Sequence, residues 1–389
     1  MFRYNLAGYF LCAIAVFPLR GAPPEFQAHP VADFKQAAGI IAADMNHDGK
    51  IDLVVLPAAT ADLVWFENPT WEKHVIASNL KGMIDMVAVD GDGDGIPDIV
   101  LAYEFSSRTK NSLGIVSVLK HDGDPRGPWK MTEIDRLPGT HRMRLADIDG
   151  SGKKVLIASP VAAADTDPPE YHGNVPLNFY RIGEWKRQLI DNSNEGVVHG
   201  VTPVDWDHSG RDSVLIAGFT GVRLYQVDKA GHWSHTELTK ADPSPWPKGG
   251  ASEIAVAHLG AERILATVEP WHGNEVAVYR ERDSVWQREV IDDTLAYGHA
   301  LLANDFSGDG KSQLIAGCRD RADCLYIYNF DGKSWKRSLL DRNMGAAGCV
   351  IADINGDGKP DFACTGTTTN NVKWYENVSP AKPAAAARR

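Results

Sequence analysis

A nine-residue acidic loop recurs along this chain at near-regular intervals, and that recurrence narrows the fold more than any other feature. Five copies read DMNHDGKID from Asp44, DGDGDGIPD from Asp90, DWDHSGRDS from Asp205, DFSGDGKSQ from Asp305 and DINGDGKPD from Asp353. A weaker sixth, DIDGSGKKV, starts at Asp147. Successive first aspartates stand 46, 57, 58, 100 and 48 residues apart. The interval of 100 spans two periods, so one repeat has lost its loop. A period of about 50 residues marks stacked supersecondary units, and propeller blades fall in that range.

The spacing inside the loop carries chemistry. Oxygen ligands at positions 1, 3, 5 and 9, a backbone carbonyl at position 7 and a glycine at position 6 suit a hard cation such as Ca2+. Three copies keep every side-chain ligand: Asp44, Asn46, Asp48 and Asp52; Asp90, Asp92, Asp94 and Asp98; Asp353, Asn355, Asp357 and Asp361. The carbonyls of Lys50, Ile96 and Lys359 complete these sets, and Gly49, Gly95 and Gly358 allow the sharp turn. The fourth candidate has Asp305, Ser307, Asp309 and the Lys311 carbonyl, with Gln313 at position 9. The Asp147 and Asp205 copies place Ser151 and Ser209 at position 5 and no acid at position 9, so Asx-type turns closed by their own hydrogen bonds are expected there. No Glu stands at position 12, and strand-like runs (IDLVVL, PDIVLAY, PDFACTG) follow directly, so these are strand-to-strand loops and not EF-hands. Any metal in them is expected to be structural.

Each repeat reads as an apolar strand ending at the first Asp, the loop, a second apolar strand, a variable connection, a third strand and a Trp-led fourth. The fourth strands are TWEKHVI, PWKMTEI, EWKRQLI, HWSHTEL, VWQREVI and SWKRSLL. The loop-less repeat is EIAVAHLG followed by ERILATVE. That gives seven inner strands and six outer ones, and the N-terminal EFQAHPVAD supplies the seventh by pairing with the last blade. Ring closure of this kind removes exposed sheet edges. The expected fold is all-β: a seven-bladed β-propeller of four-stranded blades over residues 23–378, closed by the N-terminal strand.

Residues 1–22 read as a secretory signal peptide, with Arg3, the apolar LAGYFLCAIAVFPL and a small-residue cleavage site near Gly21 and Ala22. The stretch is too short for a membrane span, and Cys12 lacks a lipoprotein pattern. A secreted or periplasmic location follows, without membrane insertion. Cys318 and Cys324 are close enough to staple one loop; Cys349 and Cys364 fall on neighbouring strands, as a disulfide or as buried thiols. Residues 379–389 are low-complexity and expected to be a disordered tail. The net charge of −11, much of it in the loops, and the lack of a basic stripe argue against nucleic acid as a partner. Nothing in the sequence fixes an oligomeric state.

Because the loops join first to second strands, the starts of the first strands share the opposite face with the second-to-third connections. Six residues before the first Asp, roughly 20 Å at strand rise, stand His141, His199 and His299. Thirteen histidines scattered at random over 389 residues would place far fewer than one at seven equivalent positions. The fifth blade offers Ser252 there, or Glu253 if its register slips by one; blades one, two and seven offer Ala38, Ile84 and Ala347. The connections on this face hold Tyr103-Glu104, Tyr171-His172, Glu269 followed by Trp271-His272-Gly273, and Arg319-Asp320. Neutral imidazoles with a carboxylate around one cavity suit a second divalent metal at the mouth, or general acid–base work. The plainer reading is that these histidines fill a tapering channel. Arg142 and Arg144 flank His141, and alternation puts one of them beside it or packs both on neighbours.

The acidic loops and the FENP and WYEN strands resemble FG-GAP/VCBS repeats of integrin-type propellers. More specifically, THRMRLADIDG, VVHGVTPVDWD, VEPWHGNEVAVY, YGHALLANDFSGDG and NVKWYEN resemble the propeller domain of aldos-2-ulose dehydratase and, more distantly, propeller-type polysaccharide lyases such as rhamnose–glucuronate lyases. The resemblance implies a site of His141, His199, Glu269, His272 and His299, and a lyase or dehydratase that eliminates across a sugar C–C bond with metal assistance. One His would take the proton next to a carbonyl or carboxylate, and Glu269, His272 or Tyr297 would protonate the leaving oxygen. The cupin and lectin-like parts of the dehydratase have no counterpart here. The expected partner is a carbohydrate or oligosaccharide; the competing class is a non-catalytic, calcium-stabilised propeller for glycan or protein binding.

Overall fold

The computed structural model describes residues 23–59, 61–322 and 324–380 of the 389-residue chain. The signal peptide expected over residues 1–22 and residues 381–389 of the tail lie outside them. The described chain forms seven antiparallel sheets of four strands each, a seven-bladed β-propeller, with one short 3-10 turn at Thr109–Asn111. The first strands are Ala37–Ala43, Asp85–Val89, Thr140–Ala146, Val198–Val204, Glu253–Leu259, Gly298–Asn304 and Ala346–Ala352. The fifth blade turns straight from Leu259 into Glu262–Glu269, the hairpin left by the lost loop. Phe26–Asp33 pairs with Asn371–Asn377 as the outer strand of the last blade. Among the described residues no helix is long and apolar enough to cross a membrane.

Burial follows position in the blade. Second strands such as Asp52–Pro57, Val155–Pro160 and Ser213–Gly218 are buried along their whole length, because neighbouring blades cover both faces. That is why they read as continuous apolar runs. The cores lie between blades: Val54, Leu56 and Trp65 of the first pack with Met86, Ile99 and Leu101 of the second. Val55 and Val64 of the first meet Ala363, Val372 and Trp374 of the last, which closes the ring.

Tyrosines in third strands rivet four of the blades to the outer strand of the one before. Tyr180, Tyr225, Tyr328 and Tyr375 donate their hydroxyls to Asp135, Asp191, Asp292 and Asp341 at 2.6–2.9 Å. Each acid closes an Ile-Asp or Leu-Asp pair within an outer strand. The fourth blade has Thr239 at that place, so Tyr279 of the fifth finds no acid there. Two disulfides complete the scaffold: Cys318–Cys324 across one loop, and Cys349–Cys364, which face each other on paired strands.

All six acidic loops take the same turn, with the first Asp accepting backbone N–H bonds from within the loop. Asp44 accepts from Asp48 at 3.0 Å and Gly49 at 2.8 Å; Asp353 accepts from Asp357 at 3.0 Å and Gly358 at 2.9 Å. The position-9 acids Asp52, Asp98 and Asp361 are buried. Asp52 accepts the Met45 and Asn68 N–H groups at 2.9 and 2.8 Å.

Candidate functional site

A β-bulge sets the geometry of the mouth. In five first strands the pairing skips one residue: Ala38, His141, His199, His299 and Ala347. These are the residues six before each first Asp. A bulge residue has no cross-strand partner and re-aims its side chain, so His141 and His299 line the channel, His199 is fully buried behind them, and alanines in blades one and seven leave space. The resulting cavity is ≈ 770 Å³, on the face opposite the acidic loops. The fifth blade has no bulge, and there Glu253 lines the cavity while Ser252 is fully buried behind it.

His199, His272 and His299 bring ring nitrogens within 4.8 Å of one another. The rings of His199 and His299 are 5.2 Å apart, and His141 lies 4.6 Å from His199. His272 arrives from the connection after Glu262–Glu269, stacked on Trp271 at 4.6 Å and against Tyr297 at 4.4 Å. His299 Nδ1 donates to the Ala347 carbonyl at 2.5 Å, which leaves Nε2 with its lone pair. His199 Nδ1 faces Glu253 Oε1 at 2.9 Å and the Ser252 carbonyl at 3.2 Å, so its Nε2 is likewise free to accept. That nitrogen stands 3.0 Å from His272 Nε2. A neutral His272 carrying its proton on Nε2 donates to it there, and a bound cation would take the place of that proton. Carboxylate-backed and carbonyl-backed imidazoles are the donor set of a transition-metal site, so the residues fit such an ion.

Burial holds all four histidines well below the ordinary imidazole pKa, and the Arg142 charge adds to this for His141 and His199. They are neutral, the form that ligates or accepts a proton. Both arginines beside His141 line the cavity, since the bulge breaks the alternation. Arg142 Nη2 binds Glu253 at 2.8 Å and lies 3.4 Å from both nitrogens of His199, a position over the ring. Arg144 binds Asp85 at 2.9 Å. His141 Nδ1 and Trp271 Nε1 are buried with no hydrogen-bond partner among the described residues.

Glu269 is a correction to the sequence expectation. It is fully buried at the end of the second strand of blade five and does not line the cavity. Its carboxylate accepts from Thr267 at 2.5 Å, from Arg288 at 2.7 Å and from the Tyr279 hydroxyl. It is the acid that blade four fails to supply to Tyr279, a structural rivet. His172 also sits away from the cavity, stacked on Trp246 at 5.3 Å. Asp85 and the bulge itself were missed by the sequence reading; a glycine directly after Ala38, His199 and Ala347 was the available signal for the bulge.

Comparison with known proteins divides the chain. The FG-GAP-like repeat profile matches residues 44–101 and 305–364, two pairs of loops with their strands. The profile of the aldos-2-ulose dehydratase β-propeller domain matches residues 113–282, which hold His141, Arg142, His199, Glu253 and His272. A curated relative, aldos-2-ulose dehydratase of Phanerodontia chrysosporium, is 25% identical over 71% of this chain and 33% of its own length. The chain thus spans about a third of that protein. Among solved structures, an Agrocybe aegerita lectin studied for specific recognition of non-reducing terminal N-acetylglucosamine matches with a TM-score of 0.51 at 14% identity, covering 89% of this chain and 87% of the lectin. The rhamnogalacturonan lyase YesW matches at 0.49 and 12% identity, over 91% and 76%. The lectin match concerns the fold alone. The chain resembles the dehydratase propeller and carries FG-GAP-like repeats.

Proposed function

We propose that this chain is an exported carbohydrate lyase or dehydratase that works by metal-assisted β-elimination at the His199, His272 and His299 cluster. The observation that supports it most is the convergence of three neutral imidazoles, two with Nδ1 committed to an acceptor, at the wall of an arginine-lined cavity, with His272 and His299 lining it and His199 buried behind them. The name of the dehydratase relative supports the reaction class. A divalent cation held by these nitrogens would supply Lewis-acid polarisation of a substrate carbonyl or carboxylate oxygen.

The side chains account for the proton transfers. His141 is neutral and lines the cavity, so it is the base proposed to take the proton from carbon. That electron pair becomes the new C=C bond as the neighbouring C–O bond breaks. Tyr297 faces the same cavity, and burial raises its phenol pKa, so it is protonated and donates to the departing oxygen. Glu253 holds His199 in one tautomer, and Arg142 holds Glu253.

The acidic loops are the proposed calcium sites, for rigidity and not for chemistry. The carboxylates of Asp90, Asp92 and Asp94 fit a hard cation, converging within 4.8 Å, and Lys120 Nζ already lies 2.9 Å from Asp92 and Asp98. Two disulfides support an oxidising, extracytoplasmic setting. The test is to incubate the protein with 1,5-anhydrofructose and with glucuronide-capped glycans and follow absorbance of a conjugated enone or unsaturated uronate. A new band is expected. Glycan binding without product from any of them would place the protein in the binding class.

A further inference from the structure

We infer that the cavity selects a carbohydrate bearing a carboxylate, and that Arg319 is the residue that reads it. This inference rests on the carbohydrate reading above and names the class of sugar. Three guanidiniums line the cavity, those of Arg142, Arg144 and Arg319, against two carboxylates, Asp85 and Glu253. The two acids are already spent: Glu253 on Arg142 at 2.8 Å and Asp85 on Arg144 at 2.9 Å. Arg319 has only a looser ion-pair partner, Asp320. Its Nε is buried without a hydrogen bond among the described residues, and the Asp320 carboxylate stands 3.7 Å away, beyond hydrogen-bond range. The side chain is 33% exposed and lines the cavity, so its terminal Nη donors are the ones a ligand oxygen would meet.

The position of Arg319 is built. It follows Cys318 at the end of Gln313–Cys318, and the Cys318–Cys324 disulfide ties down both ends of its loop. Its N–H donates to the Tyr297 carbonyl at 3.3 Å, and its guanidinium lies 5.7 Å from the Tyr297 ring. Tyr297 in turn touches His272. One guanidinium therefore faces the cavity two side-chain contacts from the histidine cluster, the reach of a substituent on the same sugar ring. The planar fork of a guanidinium matches a carboxylate by two parallel N–H bonds, which a hydroxyl cannot match. The surplus cation also stands out in a chain of net charge −11, and a low-dielectric cleft of one sign concentrates ligands of the other.

The test compares sodium D-glucuronate with D-glucose as probes, by ligand-observed NMR titration of the full protein with its metals. Wild type is expected to bind glucuronate about tenfold or more tighter than glucose, with the preference shrinking as salt rises. Arg319→Gln should erase the preference while glucose affinity and melting temperature hold, and Arg319→Lys should restore part of it. Equal binding of the two sugars to wild type, or a preference that survives Arg319→Gln, overturns the assignment while leaving the carbohydrate reading intact. Binding of neither sugar overturns both.

Discussion

Glu253 does for His199 what the Ala347 carbonyl does for His299: each fixes which nitrogen carries the proton. Glu253→Gln should therefore lower metal affinity at the mouth by about 10–100-fold, read by competition with a chromogenic chelator. His141→Ala should cut turnover by about 10²–10⁴-fold with metal content unchanged. Glu269→Gln makes the opposite pattern: a lower melting temperature with turnover per folded molecule intact, since its carboxylate serves Tyr279 and Arg288. pH gives a further check. Burial depresses the folded-state pKa of His141, His199, His272 and His299 below the 6.5 of a free imidazole, so the fold favours their neutral forms. The stability they contribute is present above pH 6.5 and lost as pH falls. The melting temperature of metal-free protein should drop on acidification below that point, and less steeply in His299→Gln.

At the scale of the strand and loop, the bulge is the device that aims the site, and it depends on close packing behind it. A Cβ on Gly200 would lie 3.0 Å from the Ser252 carbonyl oxygen and 3.2 Å from Glu253 Cα. Gly200→Ala should therefore cost about 1–3 kcal/mol in chemical denaturation and weaken metal binding, by pushing blade five off His199. In the loops, burial lifts Asp52 to about 6 and also raises Asp361 and Asp98. A carboxylate with a raised folded-state pKa contributes stability below its unfolded value near 3.8 and loses it as pH rises through about 6. A bound cation reverses that loss, so the rise in melting temperature given by calcium over chelator should grow between pH 4 and 7. The sequence showed the period, the deleted loop and the three bulge histidines because each is a matter of counting along one strand. Glu253, Asp85 and Arg144 are brought together by packing between blades, and counting carries no such information. Glu269 misled because its neighbour His272 is in the cavity, whereas its own carboxylate is buried against Tyr279 and Arg288.

Over the whole molecule, closure comes from the strand Phe26–Asp33, whose Phe26 packs on Phe362 at 5.0 Å and Phe306 at 5.3 Å. Without it Asn371–Asn377 becomes an open edge, and a chain beginning after Asp33 should aggregate, as light scattering would record. The ring divides its labour between two faces: acidic loops at one end of the first strands and the histidine cluster at the other. The direct test of that division is divalent metal per chain, measured by elemental analysis alongside turnover on the same samples, for wild type and the His199→Ala/His299→Ala double variant. The variant should lose one metal equivalent and its turnover together while keeping its calcium and its fold. Unchanged metal content with unchanged turnover would contradict the site.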